Sequence, residues 1–175
     1  MIPPHSLAET RAKLERLLEH VSITRLIVAG DLVESFAPCR RTARDVRSLR
    51  DWLAGQGVEL VTLRGNHDPG AGPASLEIDG WTIAHGHEPT PGARMIRGHL
   101  HPVLRAAGVV APCFVVAADR IVLPAFTPNA AGLDVGTGRL AGDLRAASCV
   151  AAVASDLLDF GPIATLAARL RAVAP

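Results

Sequence analysis

The chain has 175 residues and a formal net charge of +1 at pH 7, with 49% hydrophobic and 20% charged residues. This size and composition predict one soluble globular domain over residues 1–175, and the total charge does not demand a polyanionic partner. No apolar run approaches the roughly 20 residues that span a bilayer, and the N-terminus lacks a signal-peptide pattern, so we expect no membrane partner. Three widely spaced cysteines, Cys39, Cys113 and Cys149, predict reduced structural thiols in a cytoplasmic protein.

Two amphipathic helices are predicted in the first third of the chain. Apolar residues recur at helical spacing over residues 7–20 and again over residues 40–54. The second helix also carries five arginines: Arg40, Arg41, Arg44, Arg47 and Arg50. Such a face is ordinarily a solvated surface. The alternative is a face that contacts phosphates, with Arg40 and Arg44 as candidate substrate-binding residues.

Short apolar runs predict buried parallel strands in the first half of the chain. These strands span residues 23–29, 58–63 and 81–84, and they end at Gly30-Asp31, Gly65-Asn66 and His85. Functional groups gather at the carboxyl ends of strands in open α/β sheets. We therefore expect Asp31, Asn66 and His85 to lie along one edge of one sheet.

The second half of the chain predicts short β segments with few helices. The segments are a hairpin over residues 113–117 and 121–123, loops over 124–129 and 132–134, a strand over 150–153 and a helix over 163–172. Two sheets packed face to face, with helices outside, would accommodate this order of elements.

Histidine is concentrated in one stretch. Five of the seven histidines fall between residues 67 and 101: His67, His85, His87, His99 and His101. Neutral imidazole is the commonest metal-ligating side chain, and the adjoining glycines allow tight turns and a close approach to a ligand. The pattern predicts a metal site built on turns, the alternative being histidines scattered over the surface.

Four motifs in this stretch and before it resemble those of the calcineurin-like metallophosphoesterase superfamily. They are Gly30-Asp31-Leu32-Val33, Gly65-Asn66-His67-Asp68, His85-Gly86-His87 and Gly98-His99-Leu100-His101. Three later segments are similar to a prokaryotic subgroup related to DNA-repair nucleases, which includes DNA-ligase-associated phosphoesterases. These segments are Leu123-Pro124-Ala125-Phe126, Gly132-Leu133-Asp134-Val135 and Asp159-Phe160-Gly161-Pro162.

The resemblance implies an α/β fold, a four-layer αββα sandwich of two mixed sheets that holds two divalent metals. Carried over by position, Asp31 bridges the metals, Asn66, His85 and His99 complete the second metal site, and His101 binds the first metal. His67 stabilises the transition state or protonates the leaving oxygen, and Glu34 sits where relatives often place an acid that orients this histidine, a plain surface glutamate being the alternative. Asp68 fixes the turn by local hydrogen bonds, and His87 supports the site or faces the substrate.

The implied chemistry is phosphodiester hydrolysis by metal-activated water, as in a nuclease, with DNA or a nucleotide as substrate. Mixed nitrogen and oxygen ligation favours Mn, Fe, Zn or Ni as the divalent metal. A phosphomonoesterase uses the same centre with different loops. The alternative from another class is a catalytically impaired relative that binds metal or nucleic acid and regulates a partner.

The family's opening Asp-x-His motif is missing, because the chain begins at Met1-Ile2-Pro3-Pro4. The sequence therefore predicts one well-occupied metal site, a weak or empty second site and reduced activity. Loss of that N-terminal strand would leave the strand at 23–29 as an edge. Either a partner chain, such as a second copy in a homodimer, covers this edge, or the chain starts late relative to the natural protein.

Overall fold

The computed structural model describes residues 7–33, 40–68, 70, 72–106, 108–127, 130–137, 140, 144–154 and 156–173. The chain folds into two compact units, Met1–Ser75 and Leu76–Pro175. No helix within these described ranges has the length and apolar character required to cross a membrane.

The first unit contains two helices and a pair of parallel strands. Its elements are α1 (Leu7–His20), β1 (Arg25–Val28), α2 (Arg40–Gly55) and β2 (Glu59–Thr62). Strand β1 runs parallel to β2, with Leu26 opposite Leu60. The apolar stripes of both helices meet this pair in one core that includes Leu14, Leu49 and Leu53. The two predicted helices and the first two predicted strands are confirmed to within two residues at each end.

Strand β1 has one neighbour among the described residues, because its sheet consists of β1 and β2 alone. Leu26, Ile27 and Val28 are half-buried, where the sequence predicted a buried strand. The expectation that this strand lies at an edge is confirmed. The apolar residues of β1 correctly predicted a face packed against the helices. They could not predict how many strands pair with β1.

Strands dominate the second unit. They are β3 (Ser75–Ile78), β4 (Trp81–Ala84), β5 (Met95–Arg97), β6 (Pro102–Ala106), β7 (Val109–Val116), β8 (Arg120–Val122), β9 (Leu133–Asp134), β10 (Ser148–Val153) and β11 (Asp156–Pro162), followed by helix α3 (Ile163–Val173). The order across the sheet is β11-β10-β7-β8-β5-β4-β3, and β6 branches from β7 and pairs with β9. Strands β4, β5 and β8 are parallel, whereas β7 runs antiparallel to β6, β8 and β10. This is a mixed sheet, and the α/β class is confirmed.

The core of the second unit lies on one face of β7, β8 and β10. Cys113, Val115, Val122 and Cys149 are fully buried there. Leu166 of α3 packs into the same cluster. Alternate residues of β7 are buried, as expected for a strand with one face on the core.

The expectation that three strands share one sheet is wrong. Strands β1 and β2 form the two-stranded sheet, whereas β4 belongs to the larger sheet. The reason lies in pairing that sequence order does not reveal, because β4 is held between β3 and β5 rather than beside β2. Its carboxyl end therefore lies beside the carboxyl end of β5.

Further differences concern strands that the sequence did not predict, among them β3, β5 and β6. Residues 133–134, predicted as loop, form β9 beside β6, and the edge strand β11 was not predicted. Strand β11 lacks an alternating apolar pattern, and both Leu157 and Leu158 are exposed, so its sequence carries little strand signal. The predicted hairpin is confirmed as β7 and β8, with Val115 opposite Val122.

Candidate functional site

Asp31 lies on a tight turn directly after β1. Gly30 and Asp31 both have positive φ, 81° and 52°, a geometry that glycine and short polar residues tolerate best. The Asp31 carboxylate accepts a hydrogen bond from the backbone N–H of His67, with Oδ1 and N 2.9 Å apart. A Cβ on Gly65 would overlap with Asp31, so only glycine permits these two turns to touch. The turns after β1 and β2 are thus brought together, as predicted.

The Asp68 carboxylate fastens the same two turns. Its Oδ1 accepts hydrogen bonds from the backbone N–H groups of Asp31 at 3.1 Å and Gly65 at 3.0 Å. Its Oδ2 accepts one from the N–H of Val33 at 3.3 Å. The interpretation of Asp68 as a residue that fixes the turn is confirmed. Its neighbour His67 is exposed, so its ring is accessible from solvent.

His85 and His99 meet at the carboxyl ends of two adjacent parallel strands. Ala84 of β4 stands opposite Arg97 of β5, and the histidines follow these positions closely. His85 is 2% exposed, and its Nε2 is 3.1 Å from Nδ1 of His99, so one nitrogen donates and the other accepts. Two nitrogen ligands of one tetrahedral ion, with bonds of about 2.0–2.1 Å, are about 3.3 Å apart. The separation of the two nitrogens is therefore close to the spacing of two ligands of one cation.

His87 completes a three-histidine cluster with His85 and His99. Its ring centroid is 5.2 Å from that of His85 and 6.2 Å from that of His99. Its Nδ1 is buried and has no hydrogen-bond partner among the described residues. Its Nε2 lies 3.7 Å from Oε1 of Glu88. A buried ring nitrogen without a partner is costly, so this position is suited to a ligand.

The turn that carries His99 and His101 is strained. His99 has a φ of 64° and His101 a φ of 46°, in a region where a residue with a side chain costs roughly 1–2 kcal/mol. The carbonyl of His101 accepts a hydrogen bond from the N–H of Leu133 at 3.2 Å. A Cβ on Gly132 would lie 2.5 Å from that carbonyl, so the glycine lets the chain around β9 support the turn. Such strain is typical of functional sites.

The structure thus forms two local groups from the predicted site residues. Asp31, Asn66 and His67 belong to joined turns in the first unit, and the three-histidine cluster lies in the second unit. Among the described residues, no three His, Cys, Asp or Glu side chains are arranged to hold a metal ion as they stand. A common metal site for Asp31, Asn66, His85, His99 and His101 therefore stays a prediction. Glu34 lies outside the described residues.

The arginine face of α2 is exposed. The side chain of Arg44 is 72% exposed, and its Nε is 4.0 Å from Oδ1 of Asp45. The other oxygen of that carboxylate, Oδ2, lies 3.9 Å from the Nε of Arg41. Arg40 is exposed at the first position of the helix, and no acidic residue occupies the first turn. Cations at this end of the helix are unfavourable because they lie near the positive end of its dipole. An anion bound here would be stabilised both by the arginines and by the helix dipole.

Cys113 and Cys149 form a buried pair of reduced thiols, as the sequence predicted for structural cysteines, while Cys39 lies outside the described residues. They lie on the neighbouring strands β7 and β10. The hydrogen bond between the two thiols, and then burial, raises the pKa of Cys113. Neither thiol is exposed, which suits a packing role rather than a reactive one.

Sequence reasoning did not select Arg97, the last residue of β5. Its Nε is buried and has no hydrogen-bond partner in the described part of the chain. A basic residue at the end of a three-residue strand ordinarily faces solvent, so no local pattern marked it as functional. The one sequence signal that could have identified Arg97 is its position immediately before the Gly98-His99 motif.

The described helices and strands define a mixed α/β protein with a large mixed sheet. Comparison with protein-family models gave no match, and comparison with curated protein sequences gave none. Among solved structures, the chain is similar to the crystal structure of the Pseudomonas putida nuclease MPE, with a TM-score of 0.69 at 23% sequence identity. The similarity covers 89% of this chain and 82% of the nuclease, and it shows a shared fold.

Proposed function

We propose that this chain is a metal-dependent phosphodiesterase of the nuclease type. The observation that carries the proposal is the buried pair His85 and His99, whose ring nitrogens lie 3.1 Å apart at the ends of β4 and β5. Ligand and catalytic groups gather at this end of parallel strands. The fold shared with a Pseudomonas putida nuclease supports the same class of reaction.

The ligands in this proposal are Asp31, Asn66, His85 and His99, with His101 and the Asp31 carboxylate left to a second, weaker position. A carboxylate, an amide oxygen and imidazole nitrogens suit Mn, Fe, Zn or Ni better than Mg or Ca. When bound, such an ion supplies an activated water and compensates the charge on the phosphate oxygens. The Asp31–His67 and Asp68 hydrogen bonds fix the turns of the first unit that carry two of these proposed ligands.

His67 is proposed to donate a proton from its ring to the leaving oxygen. Its backbone is fixed by Asp31 while its ring remains exposed, so the ring can reach a substrate that arrives from solvent. Glu34 would orient this ring. His87 would face the substrate through its buried Nδ1. These two roles complete the set of side chains proposed to act on the scissile phosphate.

Arg40 and Arg44 are proposed to bind phosphates next to the scissile bond in DNA. Both lie on the exposed first half of α2, whose first turn has no acidic residue, although Asp45 lies 4.0 Å from Arg44. Arginine matches phosphate geometry with two parallel donors. The helix end adds a favourable dipole. The substrate class that follows is a nucleic acid or a nucleotide.

The test is hydrolysis of bis-p-nitrophenyl phosphate with added Mn²⁺, compared with the monoester p-nitrophenyl phosphate. We expect diester hydrolysis that EDTA abolishes. His67→Ala should lower kcat by about 10²–10⁴-fold, as loss of a general acid does. Asn66→Ala should raise the Mn²⁺ concentration required. His20→Ala is the matched control, since His20 is exposed and its Nδ1 bonds only within α1.

Equal background rates in wild type and all three variants would remove the hydrolase proposal. Retained binding of Mn²⁺ and DNA in that case would favour the alternative of a catalytically impaired binding protein. Faster hydrolysis of the monoester would instead indicate a phosphomonoesterase. Each result therefore separates one of the three functions from the other two.

A further inference from the structure

We infer that Arg97 binds a non-bridging oxygen of the substrate's phosphate group. This inference deepens the proposed function and rests on it, because it names a substrate-positioning residue for the same site. The starting observation is that the Nε of Arg97 is buried and lacks a hydrogen-bond partner among the described residues. A guanidinium offers five N–H donors and no acceptor, so the Nε–H of Arg97 can be satisfied only by a hydrogen-bond acceptor.

The position of Arg97 places it beside the three-histidine cluster. In the parallel register, Arg97 stands between Ala84 of β4 and Val122 of β8, at the carboxyl end of all three strands. His85 follows Ala84 directly, and His99 follows Arg97 by two residues.

Gly86 admits the arginine side chain to this position. A Cβ on Gly86 would lie 3.1 Å from both Cβ and Cδ of Arg97, so the aliphatic part of the arginine packs directly over the glycine. Gly86 also has a φ of 94°, which a residue with a side chain rarely adopts. The turn between His85 and His87 is therefore shaped around the arginine.

The chemistry of the unfilled positions points to an anion. Next to Gly86 in sequence, His87 also has a buried Nδ1 without a hydrogen-bond partner in the described ranges. A buried N–H of a charged group without an acceptor is unfavourable, and the Nε of Arg97 is such a group among the described residues. A phosphate oxygen supplies the missing acceptor, and arginine binds phosphate better than lysine does.

The experiment compares wild type with Arg97→Gln and Arg97→Lys. The binding of inorganic phosphate is measured by calorimetric titration, and KM and kcat are measured with bis-p-nitrophenyl phosphate and Mn²⁺. We expect Arg97→Gln to weaken phosphate binding and raise KM by about 10- to 100-fold, the range for loss of a charged hydrogen bond. Arg97→Lys should recover part of the affinity, since it keeps the charge and loses the planar fork. Arg145→Gln is the control, because Arg145 is exposed in the same unit.

Wild-type phosphate affinity in both Arg97 variants would overturn the inference. If Arg97→Gln does not fold, the lysine variant decides, with an expected loss of phosphate affinity because lysine lacks the planar fork of donors. The phosphate titration needs no turnover, so it separates the two proposals. If the wild type hydrolyses neither substrate but the Arg97 variants still bind phosphate more weakly, the role of Arg97 in phosphate binding is supported. The phosphodiesterase proposal is then rejected.

Discussion

The Asp68 carboxylate organises the first unit's part of the site through backbone contacts. It accepts three hydrogen bonds from backbone N–H groups, those of Asp31, Val33 and Gly65, and so connects the turn after β1 to the turn after β2. Hydrogen bonds to a charged acceptor contribute about 1.5–3 kcal/mol each, more than neutral ones. The Asp31 carboxylate accepts a hydrogen bond from the backbone N–H of His67. In the proposed function, Asp68 fixes the backbone of the two turns and Asp31 is a metal ligand.

The raised pKa of Cys113 makes the stability of the fold sensitive to alkaline pH. In the unfolded chain the thiol ionises near a pKa of about 8.5, whereas its hydrogen bond to Cys149 and burial keep it protonated when folded. Its contribution is fully present below about pH 8.5 and is lost as the pH rises. We expect the free energy of unfolding to fall above that pH by up to about 1.4 kcal/mol per pH unit.

Urea unfolding under reducing conditions, at about pH 7.5 and about pH 10 on either side of the thiol's ordinary pKa, measures this slope. The chain has no tyrosine and one lysine, Lys13, but it has two further thiols, Cys39 and Cys149. The hydrogen bond to Cys113 lowers the pKa of Cys149, so below the ordinary thiol pKa this second group changes stability in the opposite direction. Cys113→Ala should be less stable at the lower pH and should show a flatter dependence on pH. An unchanged slope in that variant would contradict the assignment.

At the scale of elements, helix α2 carries a testable charge pattern. Arg40→Gln with Arg44→Gln should weaken binding to a DNA duplex and reduce the slope of log affinity against log salt by about 0.9 for each phosphate that is no longer bound. Removing cations from the helix N-terminus should leave stability equal or slightly higher. Fluorescence anisotropy at several salt concentrations measures the slope.

The charge-matched control for α2 is the double change Arg16→Gln and Arg145→Gln. Both arginines are exposed and lie outside α2. Equal reductions of affinity in the two double variants would indicate a general charge effect, and α2 would then be an ordinary solvated helix. A reduction confined to the α2 variant would support phosphate binding by Arg40 and Arg44.

Elements with a strong local signal were predicted from the sequence. Helix α1 follows from leucines at helical spacing, and β4 follows from an apolar run between turns, with both boundaries as predicted. Strand β9 has two residues and β11 is an exposed edge, so neither buries enough apolar surface to leave a pattern. Sheet membership depends on long-range pairing, which is why β4 was placed in the wrong sheet.

The same distinction applies to the site. The turns that carry Asp31, Asn66 and His67 are marked by Gly-Asp and Gly-Asn-His, because their backbone geometry demands glycine beside a polar residue. The pairing of His85 with His99 follows from the parallel register of β4 and β5. Arg97 carries no such local mark, since only the packed structure reveals that its Nε is buried.

At the scale of the whole molecule, the number of proposed ligands bears on metal content. The proposed set offers four donors for one ion, namely Asp31, Asn66, His85 and His99. Only Asp31 and His101 serve a second position. Four ligands hold an ion far better than two, so we expect about one divalent ion per chain. Elemental analysis of protein purified without chelator measures this ratio.

His85→Ala and His99→Ala should each reduce the bound metal severalfold, whereas His20→Ala should leave it unchanged. Two tightly held ions per chain would contradict the expectation of one occupied site. The assignment of residues 1–175 to one domain, and a homodimer that covers β1, also stay predictions.

The backbone geometry at His99 and His101 limits how this protein can be engineered. A common way to make a protein more heat-resistant is to place glycine wherever a residue with a side chain adopts positive φ. Here that replacement would relieve roughly 1–2 kcal/mol at each position and would delete an imidazole each time. Variants selected for thermal tolerance alone would therefore tend to lose these rings, and any selection scheme must score ligand binding alongside melting temperature.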